Sequence, residues 1–356
     1  MKYLQFTIEN YRAITDPVLI DVGKTPLLPI IGVNESGKTT ILHALFAFDF
    51  YNDKLNDGGR HLKDTVNLYR TGLQDQQATV TARISIEIDD LCQLMEDQGI
   101  ESKALVRYRR KHVEFANIIH LQRNIVTGLY SILDLELPKA VEVDKLCRII
   151  IGHLPYILFF DDFRDSFEER IPIVLGSNNL PSGWLAIINQ LFVATDPNLS
   201  VFDLAEMEER QRKSAVSKVK RHLNKTLTRE WQTFRLDDSD ALTISIEYEP
   251  EKLGTAEPAP AYIKLDVIET DASGNEHFFF IRDRSKGFFW FFNFVMKLEF
   301  NPKIVQGNTD GTIYLLDEPG SYLHASAQSK LCNKLRMLAK TNKVIYCTHS
   351  HYLLNP

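Results

Sequence analysis

Within LLPIIGVNESGKTTILHALFAF, residues 27–48, Gly32 is followed after four residues by Gly37-Lys38-Thr39. Few backbones accept that spacing. The run Leu27, Leu28, Ile30, Ile31 reads as a short buried strand, with Pro29 awkward because proline donates nothing to a sheet ladder. Beyond the turn, Ile41, Ala44, Leu45 and Phe48 recur at i, i+3, i+4 and i+7, which marks one face of a helix. Strand, glycine loop and helix in that order aim several backbone N–H groups and the positive end of a helix dipole at one point, where a phosphate can sit. Lys38 would reach the β- and γ-phosphates of a nucleotide, and Thr39 would offer its hydroxyl to Mg²⁺.

The C-terminal third carries matching chemistry. GTIYLLDEPGSYLH is an apolar run ending in Asp317-Glu318, and NKVIYCTHSH is a second ending in Thr348-His349. Between them Gln328, Leu331, Leu335 and Leu338 mark a helix, so the segment predicts a parallel βαβ unit. Parallel sheets carry their functional groups at the carboxyl ends of the strands. Asp317 there can hold Mg²⁺ through water, and Glu318 can orient or deprotonate an attacking water. His349 can bond the γ-phosphate or that water.

Composition narrows the class. With 356 residues, 44% apolar and 25% charged, the chain can bury a sizeable core. Its net charge of −6 excludes a protein that coats nucleic acid indiscriminately. No apolar run reaches membrane-spanning length, and the N-terminus alternates like a strand, unlike a signal peptide. Cys92, Cys147, Cys332 and Cys347 lack zinc spacing and suggest no disulfide framework, so a cytoplasmic protein with reduced thiols is expected.

Along the chain, Leu4/Phe6/Ile8 and Val18/Ile20/Val22 read as strands, and YNDKLNDGGR as an exposed loop. Val80, Ala82, Ile84, Ile86 and Ile88 alternate as one buried strand face. From about 89 to 235 the pattern is mainly helical, broken by the strand LPYILFFDDF. Ala241–Tyr248 and Tyr262–Ile268 alternate again. The expected organisation is a nucleotide-binding core made of residues 1–90 and 236–356, split by a mainly helical insertion over 91–235 that would serve dimerisation or partner binding.

The order of phosphate loop, insertion, RDRSKGFFWFF, IYLLDEPGSYLH and IYCTHSHYLL resembles an ATP-binding-cassette (ABC-type) ATPase head. More narrowly it is similar to the overcoming-lysogenization-defect family of bacterial antiphage ATPases and to the recombination and chromosome-maintenance ATPases. The opening LQFTIENYRAI fits that pattern, and the likeness is carried by residues 1–50 and 280–356. It implies an α/β P-loop head, a mixed sheet with a parallel core and antiparallel strands, that hydrolyses ATP with Mg²⁺. Gly32, Asn34, Ser36, Gly37, Lys38, Thr39 and Thr40 would form the phosphate loop. Asp317 would be the magnesium-directed acid, Glu318 the catalytic base and His349 the switch histidine. SYLH would cross between paired heads. Ser285-Lys286-Gly287 would be the signature segment, meeting the γ-phosphate held by another subunit, with Lys286 where a transporter-like signature has glycine. GFFWFFNFVMKLEF should be a buried helix behind that tip. Gln76, Gln77 and the acidic FFDD all remain candidates for the glutamine that contacts metal and lid.

A signature acting in trans implies a homodimer or higher oligomer closing over ATP. In AVSKVKRHLNKTLTRE, Val216, Val219, Leu223 and Leu227 make one helical stripe, with Lys218, Arg221, Lys225 and Arg229 nearly opposite as a candidate DNA or RNA contact. KALVRYRRKH is similar. Relatives in the overcoming-lysogenization-defect family continue into a nuclease domain, whereas this sequence stops seven residues beyond His349. An effector nuclease or toxin is therefore expected in trans or on a further portion of the chain. Asp161, Asp162 and Asp165 read better as a strand-end turn than as a nuclease centre. Two other functions fit the same motifs: a DNA-repair ATPase clamp, and a nucleotide-gated scaffold with little hydrolysis. A transporter motor does not suit an insertion of this length.

Overall fold

The computed structural model describes residues 1–50, 78–112, 115–160, 167–175, 181, 183–234, 243–252, 259–270, 273–300 and 311–354. Gln76, Gln77, Asp161, Asp162, Asp165 and the YNDKLNDGGR stretch lie outside them. The first half runs β1 (Lys2–Glu9), β2 (Val18–Asp21), β3 (Leu27–Ile30), α1 (Lys38–Phe48), β4 (Thr79–Ser85), α2 (Ile88–Glu96), α3 (Ser102–Lys111), β5 (Ile118–Asn124), β6 (Tyr130–Ile132), α4 (Val143–His153) and β7 (Ile157–Phe160). The second half runs β8 (Arg170–Pro172), α5 (Gly183–Thr195), α6 (Glu209–Phe234), β9 (Thr243–Glu249), β10 (Tyr262–Thr270), β11 (Glu276–Phe280), α7 (Lys286–Glu299), β12 (Ile313–Asp317), α8 (Ala325–Leu338) and β13 (Lys343–Cys347).

Contacts divide the chain into two compact units. The first comprises residues 1–160, 309–317 and 335–349; the second comprises 161–308, 318–334 and 350–356. The stretch 91–235 contributes to both.

Parallel and antiparallel strands occupy separate sheets. In the first unit the order β3-β13-β12-β7 is parallel throughout, and β2-β1-β4-β5-β6 is antiparallel. The parallel sheet explains Pro29: β3 lies at its edge, so the missing N–H costs no central ladder bond. β12 and β13 pair in parallel with α8 between them in sequence, the expected βαβ unit.

The antiparallel sheet differs from simple alternation at one point. A register shift between Tyr3 and Gln5 turns Tyr3 inward, where Leu4 was expected, while Phe6 and Ile8 keep their inward places. Leu4 O instead accepts the N–H groups of Val22 and Gly23, at 3.1 and 2.8 Å. The core between this sheet and α1 is aromatic: Phe6 lies 5.0 Å from Tyr3 and 5.5 Å from Phe48, ring centre to ring centre. β5 and β6 correct the mainly helical reading of residues 118–132, since Ile119 and Leu121 alternate inward against β4. Cys92, Cys147, Cys332 and Cys347 are free and buried. Burial, helped by Asp144, pushes the Cys147 thiol up to about 12, so it is a packing residue and a poor nucleophile.

In the second unit β10 pairs with β9 on one side and with β8 and β11 on the other, all antiparallel. α7 is buried almost all round, through Phe288, Trp290, Phe291, Phe292, Phe294, Val295 and Met296. Those rings are core and leave no stacking platform for bases. On α6, Val219, Leu223 and Leu227 are buried, and Lys218, Arg221, Lys225 and Arg229 are exposed.

Phe6→Ala should lower stability by about 3–5 kcal/mol, as expected for emptying a fully buried aromatic site. Leu19→Ala, at a position 60% exposed, should stay within about 0.5 kcal/mol. Urea titrations followed by circular dichroism compare the two.

Candidate functional site

The parallel sheet brings three strand ends level. Ile30 of β3 is paired with Cys347 of β13, and Cys347 with Asp317 of β12. The glycine loop leaves β3 at one of these ends. It turns through Glu35 at φ 64° and Gly37 at φ 88°, and Gly37 caps α1 in the left-handed region that glycine adopts without strain. At Gly32 a Cβ would lie 2.5 Å from Ser36 Oγ, so a larger residue there would make the Ser36 side chain give way.

Lys38 begins α1 and turns back into the loop. Its Nζ donates to the carbonyl oxygens of Gly32 at 3.0 Å and Val33 at 2.9 Å. The residue is only 7% exposed, and no carboxylate pairs with it among the described residues. A buried ammonium held by carbonyls alone lacks a counter-charge, which an anion entering the loop would supply. Thr39, next in sequence, donates its hydroxyl to Asp317 Oδ1 at 3.1 Å. The loop residue and the strand-end acid, 278 positions apart, therefore meet. Asn34 and Ser36 lie in the same loop, and Thr40 follows on the first turn of α1.

Glu318 follows Asp317 directly and sits in the left-handed region at φ 48°, unusual for a non-glycine residue. β13 stops at Cys347, two residues short of His349; Thr348 is buried and His349 exposed. The oxygen pair Thr39–Asp317 suits a hard cation. Among the described residues no cluster of three or more His, Cys, Asp or Glu could hold a metal alone.

Ser285 and Gly287 belong to the second unit. Ser285 caps α7, its Oγ accepting the Phe288 N–H at 3.2 Å. A Cβ on Gly287 would lie 3.1 Å from Tyr322 O, and the Lys286 ammonium sits 5.3 Å from the centre of the Tyr322 ring. The segment 285–287 and the SYLH stretch thus pack together.

Gln328, read from sequence only as part of a helical stripe, ties together the segments that follow Glu318 and His349. It is buried on α8. Its Nε2 donates to Gly320 O at 3.0 Å and Leu323 O at 3.1 Å, and its Oε1 accepts the Ser350 hydroxyl at 2.5 Å. One amide therefore braces both the turn after Glu318 and the turn after His349. A glutamine on an otherwise apolar helix face was the available signal. Gln328→Leu should cost about 1–3 kcal/mol by removing the side-chain donor to Leu323 O and the acceptor of the Ser350 hydroxyl, while Gly320 O keeps the Leu323 N–H at 2.9 Å, and hydrogen exchange over residues 320–324 should quicken.

A family model described as an AAA domain matches residues 5–232, more than half of the chain. A second, described as an AAA ATPase domain, matches residues 285–354. The uncharacterized protein MJECL43 of Methanocaldococcus jannaschii is 36% identical over 72 residues, 20% of this chain and 19% of that protein. The match thus spans about a fifth of that relative's length. Among solved structures, the SmcHead bound to the C-winged helix domain of ScpA overlays with a TM-score of 0.48 and 13% identity, over 99% of this chain and 91% of that one. The SMC head domain from Thermotoga maritima overlays with a TM-score of 0.43 and 12% identity over the same shares, 99% and 91%.

Proposed function

The chain belongs to the AAA-domain family, and on that premise we propose that it is an ATP-hydrolysing head of the ABC type that closes on a second copy of itself. The buried ammonium of Lys38, held by two loop carbonyls beside the Thr39–Asp317 pair, carries this reading. In it Lys38 and the loop N–H groups of residues 32–40 hold the β- and γ-phosphates. Thr39 and Asp317 hold Mg²⁺, which when bound neutralises developing charge on the phosphate oxygens. Glu318 takes a proton from the attacking water, and His349 holds the γ-phosphate or that water. Ser285 and the Gly287 amide cap the γ-phosphate of the neighbouring copy; the exposed position of Ser285 at the start of α7 supports that role.

Within this reading the head controls an effector nuclease or toxin in a bacterial antiphage system. That role is supported by the motif order shared with the overcoming-lysogenization-defect family. A DNA-repair clamp would use the exposed basic side of α6, and a nucleotide-gated scaffold would dispense with Glu318.

Equilibrium binding and turnover separate these readings. Lys38→Ala should weaken ATP binding at least about a hundredfold. Glu318→Gln should keep binding and lower turnover by about 10²–10⁴. Ser285→Arg should leave binding intact while abolishing the dependence of specific activity on protein concentration. Unchanged ATP affinity in folded Lys38→Ala rejects the nucleotide site. Unchanged turnover in Glu318→Gln rejects the assigned base, and turnover that is negligible in both forms favours the scaffold.

A further inference from the structure

The outer edge of β9 is only partly covered. At its start Asn224 of α6 imitates a neighbouring strand: its Nδ2 donates to Ile244 O at 2.8 Å, and its Oδ1 accepts the Ile244 N–H at 2.6 Å. Ile244 therefore turns both main-chain groups away from β10. In an antiparallel pair that direction alternates, so Ile246 and Tyr248 turn theirs outward as well. The partner strand agrees. Leu265, opposite Ile246, sends its N–H away from β9 to Glu169 O, at 3.2 Å. Among the described residues no strand pairs with β9 on that side.

Beside this open stretch α6 and β9 enclose a groove of about 650 Å³, within the ~300–1,000 Å³ range of ligand clefts. Val216, Ile246 and Tyr248 supply its apolar wall. Its charge is unbalanced. Lys213 is matched by Glu209 at 2.6 Å. The Arg212 guanidinium is fixed by the carbonyls of Leu204 and Met207, both at 2.8 Å, and lies 4.7 Å from the centre of the Tyr248 ring, with no carboxylate among those contacts. Lys220 lines the groove with no ion-pair partner among the described residues. Glu247 also lines the groove, and the lysine opposite it, Lys264, is already paired with Asp266 at 2.7 Å, so the groove sets Arg212, Lys213 and Lys220 against Glu209 and Glu247, an excess of one positive charge.

We propose that this groove binds an extended acidic peptide segment of a partner protein, which continues the sheet by pairing with Ile246 and Tyr248 and sets a carboxylate against Lys220. Main-chain bonds to the edge would supply affinity. The Lys220 and Arg212 charges and the Val216 wall would select alternating acidic and apolar residues. This inference does not depend on the nucleotide site.

The test uses the full chain and a fluorescein-labelled hexapeptide of alternating glutamate and valine, read by anisotropy. Binding should be at least about tenfold tighter than that of the lysine–valine counterpart. N-methylation of alternate peptide amides, which removes ladder donors and keeps every side chain, should abolish it. Lys220→Glu should reverse the preference between the two peptides, and Val216→Arg should block both. The proposal is overturned if the N-methylated peptide binds as well as the parent. It is equally overturned if the acidic peptide fails to bind below about 1 mM, or if oligodeoxythymidylate displaces it as strongly as unlabelled peptide does.

Discussion

A lysine ammonium buried against two carbonyls organises the first unit. Lys38 is held where it is because α1 starts at the end of β3, and β3 is held level with β12 and β13 by the parallel ladder. Slipping β3 or β12 by one residue would separate Thr39 from Asp317 and exchange the two faces on which that strand's side chains pack. The aromatic packing of Tyr3, Phe6 and Phe48 fixes the other end of α1, so loop geometry and core packing are one constraint.

Much of this was legible because its signals are local. The glycine spacing, the helical recurrence after it and the apolar runs ending in Asp317 and His349 each lie within one segment. Pro29 was puzzling only until strand order was known, since an edge position cannot be read from one strand alone. Tyr3 was missed because a bulge breaks the period of two on which strand reading depends. β5 and β6 were passed over because few apolar residues mark their inward face: Ile119 and Leu121 on β5 and Tyr130 on β6, with Arg123 taking the third buried place on β5. β11 was not recognised either; all five of its residues are exposed, so no buried face leaves a pattern.

The candidate site divides along the same line. Lys38, Thr39 and Asp317 were nominated from sequence and two of them meet directly. Gln328 acts through three bonds to partners 5, 8 and 22 positions away, a set that no spacing rule collects. The open edge of β9 is likewise a property of what Asn224 covers and what it leaves uncovered, and the neighbouring sequence carries no trace of it.

Glu318 has a consequence for how such a protein can change. A side chain in the left-handed region costs roughly 1–2 kcal/mol relative to glycine, so the backbone at this position at φ 48° would relax if the residue were replaced by glycine. The replacement that makes the turn more comfortable is also the one that erases its carboxylate. Drift towards a sturdier molecule thus points away from a carboxylate at this position.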